Sequence, residues 1–492
     1  MINVLSYSHG VGVVVCKTFI YIVIPCAFLL QGFFCVKIRL LHKENGMNKR
    51  IGLIGDNSIG WIRQLIQIWN NGDCATLLDW RIPYATLIEM IREANVAYCV
   101  VEKQYLDGFI EQGHDVCLFK VFEKENSSPS LLPADIYDCF MPEYSEREAM
   151  IIYSSGTTGR AKGIILTHYA INTNADAIIE YLHLKNTDCM YLVKNIAHSS
   201  TITGELLVAL KTRTPLVVAS TIVPARVILK NIDKFGVSVV CLNPTLLRLL
   251  VEELDTRGWR YDISSLRSIY VHGERCQRKS ISTARKVLPG INLYCEYGLS
   301  EAGPRVCTQG ISSNSLDSVG KPIRDVEVKV CVNGRPVDKN TKGIVYVRTK
   351  SVFKRYVVGS RRNIQDGWLN TRDIGYWDDN DELHIIGRMD DRIIINAHKI
   401  YPTDVEQVIM DVSDIEECVV VKVRLMGKTM LACAYVSETA IDVEFRRKIS
   451  KVLITYEVPQ LFCKVSSLPR TRNGKVSRAM VKEIIKNGAV DG

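Results

Sequence analysis

The chain of 492 residues is too long for one ordinary core and leaves room for about three domain-sized units. With 47% hydrophobic and 23% charged residues it is a folded globular protein, which excludes an intrinsically disordered chain. The net charge of +9, from 62 basic and 53 acidic residues, is spread without a dense Lys/Arg block; it gives no nucleic-acid footprint and suits an anionic substrate.

The sixteen cysteines, from Cys16 to Cys463, contain no CxxC pair, so zinc and dithiol redox motifs lack their spacing. Scattered thiols fit a reducing cytoplasm, where Cys behaves as a small core hydrophobe. Near the N-terminus "TFIYIVIPCAFLLQGFFC" (18–35) is uncharged and about long enough to cross a bilayer. Lys37, Arg39, Lys43, Lys49 and Arg50 follow it and would leave the remaining chain cytoplasmic if it spans. The alternative is a buried helix of the first domain with Pro25 near its middle. No small-residue cleavage site follows, which argues against a signal peptide.

From Arg50 the pattern is α/β. "RIGLIG" reads as a buried strand, "SIGWIRQLIQIWNNG" as a helix closed by Gly72, "ATLIEMIREAN" as a helix and "VAYCVVE" as a strand. The alternation continues to about residue 300 and predicts mostly parallel sheets covered by helices. In "MIIYSSGTTGRAKGIILTH" (150–168) an apolar strand runs into Ser154, Ser155, Gly156, Thr157, Thr158, Gly159 and Lys162, then into a second strand. Small residues let backbone N–H groups close around phosphate oxygens, and the hydroxyls donate further hydrogen bonds. The spacing is not that of a Walker A loop, because Ala161 precedes Lys162 and Gly163 follows it. Alone, such a loop is equally an ordinary turn.

"SIYVHGERC" (268–276) and "LYCEYGLSEAG" (293–303) end apolar strands with Gly273 and Glu274, and with Tyr297, Gly298, Ser300 and Glu301. The carboxyl edge of an open α/β sheet is where ligands bind. An aromatic ring there can cover a purine and a carboxylate can hold Mg²⁺; a solvated glutamate is the plainer reading of Glu301 alone. Residues 320–387 carry short β runs separated by turn residues. Within "DGWLNTRDIGYWDDNDELHIIGRMDDRIIINAHKI" (366–400), Asp373 could accept both hydroxyl protons of a ribose and Arg388 could reach the same sugar or a phosphate. "GRMDD" (387–391) is the expected joint between a large unit, 1–387, and a small α+β unit, 388–492. The small unit opens with a strand and turn, then a helix whose Thr403 and Glu406 suggest a capping box, a hairpin and a further helix. In "LPRTRNGKVSR" (468–478) Asn473-Gly474 makes a turn that projects Lys475 between Arg470, Arg472 and Arg478; this is either a solvated basic tail or a mounted cation.

Together "SSGTTGRAKG", "YGLSE", "TRDIG…GRMDDRI" and "RTRNGK", in this order over about residues 50–485, resemble the adenylate-forming superfamily of acyl- and aryl-CoA synthetases, adenylation domains and luciferases. The earlier "NNGDCATLLDWRIPYATLIEMI" is similar to another of its regions. The resemblance implies a large N-terminal domain and a small mobile C-terminal one with a hinge at Asp390. It implies ATP phosphates held by residues 154–159 and Lys162, adenine and Mg²⁺ by Tyr297 to Glu301, with Glu301 and Thr158 nearest the metal. It further implies ribose on Asp373, ribose or phosphate on Arg388, and Lys475 on the acid's carboxylate and the α-phosphate. "NIAHSSTITGELL" (195–207) is similar to the segment with a gating residue, here His198, beside the acid pocket.

The activity so implied is ATP-dependent conversion of a fatty, aryl or other non-amino acid to acyl-AMP, then transfer to coenzyme A or a phosphopantetheine carrier protein. An aspartate for an α-ammonium is missing from 195–207, whose only acid is Glu205. Alternatives are transfer to an amine, amino-acid loading of a carrier protein, and an inactive scaffold of the same fold. Three positions depart from the family pattern: Ala161 for proline, Arg372 for glycine beside Asp373, and Ala397 for glycine in the loop lining the thiol tunnel; residues 1–49 match poorly.

Overall fold

A computed structural model describes residues 3–8, 11–16, 19–25, 33–39, 48–110, 118–125, 129–154, 161–221, 223–359, 363–395, 398–425, 428–471 and 476–488. Ser155 to Gly159, Ala397 and Lys475 lie outside them. The N-terminal stretch corrects an expectation. The described residues of 18–35 form no helix: Phe19–Pro25 and Phe33–Arg39 are paired strands of a four-stranded antiparallel sheet. "FIYIVIP" is dense in β-branched and aromatic residues, and Pro25 closes the strand rather than bending a helix. Among the described residues no helix is long and apolar enough to cross a membrane.

Two large sheets follow the α/β reading. In the first, Arg50–Ile54 lies between Cys74–Leu78 and Tyr98–Glu102, all parallel. Glu148–Ser154 joins next to Cys74–Leu78 and turns back antiparallel through Lys162–Thr167. The helix Ile59–Asn70 starts where the Ser58 side chain accepts from the Trp61 N–H, and ends before Gly72 at φ +78°. Its Trp61, Leu65 and Ile66 pack into the main core. In the second sheet, Asn292–Gly298, Ser268–Val271, Val239–Leu242, Met190–Leu192 and Leu216–Val218 are neighbours in that order and parallel.

A third, antiparallel sheet holds Val326–Val332, Gly343–Thr349, Trp368–Trp377 and Leu383–Arg388. Beyond it the short turn Met389–Asp391 leads to the hairpin Ile393–Ile395/His398–Ile400. The helix Pro402–Asp411 packs on the hairpin Glu417–Leu425/Lys428–Val436, and the last helix, Arg478–Gly488, covers its other face. The capping-box expectation is corrected. Thr403 sits inside the helix behind the flanking Tyr401, and its hydroxyl donates to the Ile386 carbonyl. Glu406 accepts the Val420 N–H at 2.7 Å and pairs with Arg478. Both side chains answer to tertiary partners rather than to the helix end.

Candidate active site

The paired strands of the first sheet set Ser154 and Lys162 opposite one another, at the two ends of 155–161. Lys162 is exposed, with its ammonium 5.9 Å above the Tyr356 ring. Tyr356 stands on a short strand paired with the hairpin, and its hydroxyl donates to Glu301 Oε1 at 3.0 Å. Burial and the Glu301 charge push the Tyr356 hydroxyl pKa up, which keeps it a donor. Tyr356 thus connects the base of the loop to Glu301. Sequence reading missed it, because only the pairing of distant strands brings it there.

Glu301 lies in the turn Ser300–Ala302, whose carbonyl at 301 accepts the Phe353 N–H at 2.9 Å. Ser300 Oγ meets Ser199 Oγ at 2.9 Å, which joins this turn to the segment that begins at His198. His198 itself is half-buried, and its carbonyl accepts from Thr201 and Ile202 at the start of a short helix. Gly298 has no room for a side chain, since a Cβ would come within 1.9 Å of the Pro304 carbonyl. Gly273 is the reverse case: it adopts φ +103° at the end of its strand with open space above its α-carbon. Glu274 follows it, half-buried.

Tyr297 is buried, and its hydroxyl donates to Asp373 Oδ2 at 2.6 Å. Burial and then the Asp373 charge raise the tyrosine pKa well above its usual value, so the proton stays on Tyr297. The ring is committed to the core and to fixing Asp373. The Asp373 backbone N–H donates to the Thr371 hydroxyl at 3.0 Å, and Asp373 lies opposite Arg388, whose Nε is 3.7 Å from Oδ1. Arg372 takes φ +61°, a conformation that favours glycine. Its charge does not crowd Asp373: the guanidinium turns away and grips both oxygens of Asp390, one at 2.9 Å.

The small unit meets the large one through polar side chains. Lys342 pairs with Asp404 at 2.7 Å, Arg275 with Asp404 at 3.6 Å, and Arg278 with Asp411 at 3.7 Å. Arg470 donates to Thr245 at 3.0 Å and pairs with Glu417 at 2.5 Å, while its backbone bridges to Val476. Arg470 and Val476, on either side of 472–475, line a crevice together with Thr245 and Glu274. Of the residues singled out from sequence, the described ones fall into the Lys162–Tyr356–Glu301 chain, the Tyr297–Asp373–Arg388 corner, and His198 next to Ser199, which meets Ser300. This donor set, a carboxylate at Asp373 braced by Tyr297 and a second at Glu301 linked through Tyr356 to Lys162, has the chemistry to hold a nucleoside triphosphate with a divalent cation.

Residues 39–357 match the family described as AMP-binding enzyme, and residues 404–475 match the AMP-binding enzyme C-terminal domain. A 2-succinylbenzoate–CoA ligase of Bacillus cereus is 27% identical over 458 residues, covering 91% of each chain. Among solved structures, the anthranilate CoA ligase AuaEII in complex with anthranoyl-AMP superposes with a TM-score of 0.77 at 19% identity, over 90% of this chain and 88% of the other. The O-succinylbenzoate coenzyme A synthetase of Bacillus subtilis, in complex with ATP and magnesium ion, gives 0.74 at 20% identity, over 88% and 89%.

Proposed function

This chain belongs to the AMP-binding enzyme family, and on that premise we propose that it activates a small carboxylic acid with ATP and passes the acyl group to a thiol, coenzyme A first among the acceptors. The observation that carries the reading is the Tyr297–Asp373 corner lying beside the Lys162–Tyr356–Glu301 chain in a family member. A carboxylate is a poor electrophile and hydroxide a poor leaving group. An acid oxygen attacking the α-phosphorus expels pyrophosphate and leaves an acyl-AMP whose leaving group is good; the thiol then attacks the acyl carbon and AMP departs.

Each residue has a physical task. Asp373, braced by Tyr297, would accept both ribose hydroxyls, and Arg388 would take the same sugar or a phosphate. Ser154, the loop 155–159 and Lys162 would wrap the phosphates, and Glu301 with Thr158 would hold Mg²⁺. When bound, that ion supplies positive charge to the phosphate oxygens as pyrophosphate departs. Gly273 and Glu274 would line the nucleotide side of the site, where the open side of Gly273 would also give the acid room, with His198 as the acid's gate. Lys475 would bridge the carboxylate and the α-phosphate, aligning two anions that otherwise repel.

We place the joint of the large and small units at 387–391, so that turning at Asp390 withdraws Lys475 and admits the thiol. The use of ATP and coenzyme A as co-substrates supports a cytoplasmic site of action. The test is a panel of acids incubated with ATP, Mg²⁺ and coenzyme A. AMP, pyrophosphate and thioester should form in equal amounts and only with an acid present. Formation of ADP in place of AMP, or acid-independent hydrolysis, contradicts the proposal.

A further inference from the structure

Beneath the open α-carbon of Gly273 the floor of the site is charged. Met190–Leu192, Val239–Leu242 and Ser268–Val271 are adjacent parallel strands. Lys194 and His272 leave the carboxyl ends of the outer two, Cys241 sits on the middle one, and Glu205 reaches in from the turn Ile202–Leu206. A carboxylate oxygen of Glu205, Cys241 Sγ and a His272 ring nitrogen lie within 4.8 Å of one another. This spacing invites a metal, but a cation is already there: the Lys194 ammonium is 2.8 Å from Glu205 Oε1 and touches His272 Nε2. One strand further on, Arg305 and Glu296 pair at 2.9 Å, fully buried.

The cluster has unused hydrogen-bonding capacity. Lys194 takes Glu205 Oε1, but among the described residues Glu205 Oε2 and the Thr201 and Thr203 hydroxyls have no hydrogen-bond partner. These groups are fully or almost fully buried, and an unmet polar atom in such a place is costly unless a ligand meets it. Burial raises the Glu205 pKa while Lys194 opposes that, so the carboxylate is held at some expense. His272 directly precedes Gly273, and Glu205 lies in the segment that begins at His198, so the cluster sits directly behind the acid's proposed path. An alkyl chain laid against it would bury charges without replacing their partners.

We infer that the acid accepted here is short and hydroxylated, its hydroxyl donating to Glu205 and accepting from Thr203 or Lys194, and that long alkyl acids are excluded. This rests on the acid-activating reading of the site. A site built to bond a hydroxyl rejects the analogue that lacks one, because its own buried groups are then left unpaired.

The experiment is acid-dependent ATP–pyrophosphate exchange with matched pairs, 4-hydroxybenzoate against benzoate and 3-hydroxybutyrate against butyrate, together with decanoate. At least one hydroxy acid should exceed its parent by about tenfold or more in kcat/KM, with decanoate inactive. The Lys194→Met/Glu205→Met double variant removes both charges together, which avoids stranding either one. It should erase the preference while the parent acid still exchanges. A parent acid or decanoate equal to or better than the hydroxy acids in the unaltered chain overturns the inference but leaves acid activation standing. So does a folded double variant that keeps the preference. Exchange with none of the acids overturns acid activation and this inference with it.

Discussion

Arg305–Glu296 and Lys342–Asp404 are both charge pairs closer than 3 Å, at 2.9 and 2.7 Å, yet they act on the molecule in opposite ways. The first is sealed: its side chains are 3% and 1% exposed, and Tyr181 donates a further hydrogen bond to Glu296 at 2.5 Å. The second stands at 51% and 30% exposure. Its companions across the same junction, Arg275–Asp404 and Arg278–Asp411, lie at 3.6 and 3.7 Å. A buried pair cannot open without leaving an uncompensated charge, whereas an exposed pair trades its partner for water at little cost. The floor of the site resists opening, and the exposed pairs would let the units part if they turn about 387–391 as proposed. A reaction whose two halves need different groups at one place requires that combination.

The comparison breaks first at the sealed pair. Glu296→Ala strands Arg305 and should cost about 3–5 kcal/mol of stability, read in urea unfolding. A loss below about 1 kcal/mol would show that the pair is not sealed at all. Next in size, Lys475→Ala should lower acid-dependent pyrophosphate exchange by about 10²–10³-fold while leaving thiolysis of supplied acyl-AMP largely intact. Equal loss in both half-reactions would remove the reason for a parting seam.

Smaller again is Arg372→Gly. It relieves a left-handed backbone but releases Asp390, so stability should move by no more than about 1 kcal/mol. Thioester formation should rise relative to exchange as the joint loosens; an unchanged ratio would separate Arg372 from the joint. The least change is expected of the double variant Asp404→Asn/Asp411→Asn, within about 1 kcal/mol in unfolding. Its activity should lose part of the salt dependence seen in the unaltered chain, because exposed pairs are screened by salt.

What was legible in the sequence follows the same division between local and distant causes. The two strands within Met150 to His168, the helix from Ser58 to Gly72 and the hairpin before Val436 are written in short-range pattern and turn chemistry, and the structure repeats them. Tyr356 on Glu301, Arg372 on Asp390 and Lys194 on Glu205 are set by which strands become neighbours, which no local pattern states. The two corrections have the same origin. Thr403 and Glu406 satisfy a capping rule by spacing but are drawn to Ile386, Val420 and Arg478 across the fold. Residues 18–35 have the apolar length of a span, yet their β-branched run pairs as strands. Arg372 looked like added charge beside Asp373; only its φ of +61° and its hold on Asp390 explain why it points elsewhere.

The central claim is that an oxygen of the acid becomes bonded to the α-phosphorus. The most direct measurement labels both carboxylate oxygens of an accepted acid with oxygen-18, runs the full reaction with ATP and coenzyme A, and weighs the AMP. One labelled oxygen should appear in each AMP formed and none in pyrophosphate. Unlabelled AMP, or label carried into pyrophosphate or phosphate, would contradict the account.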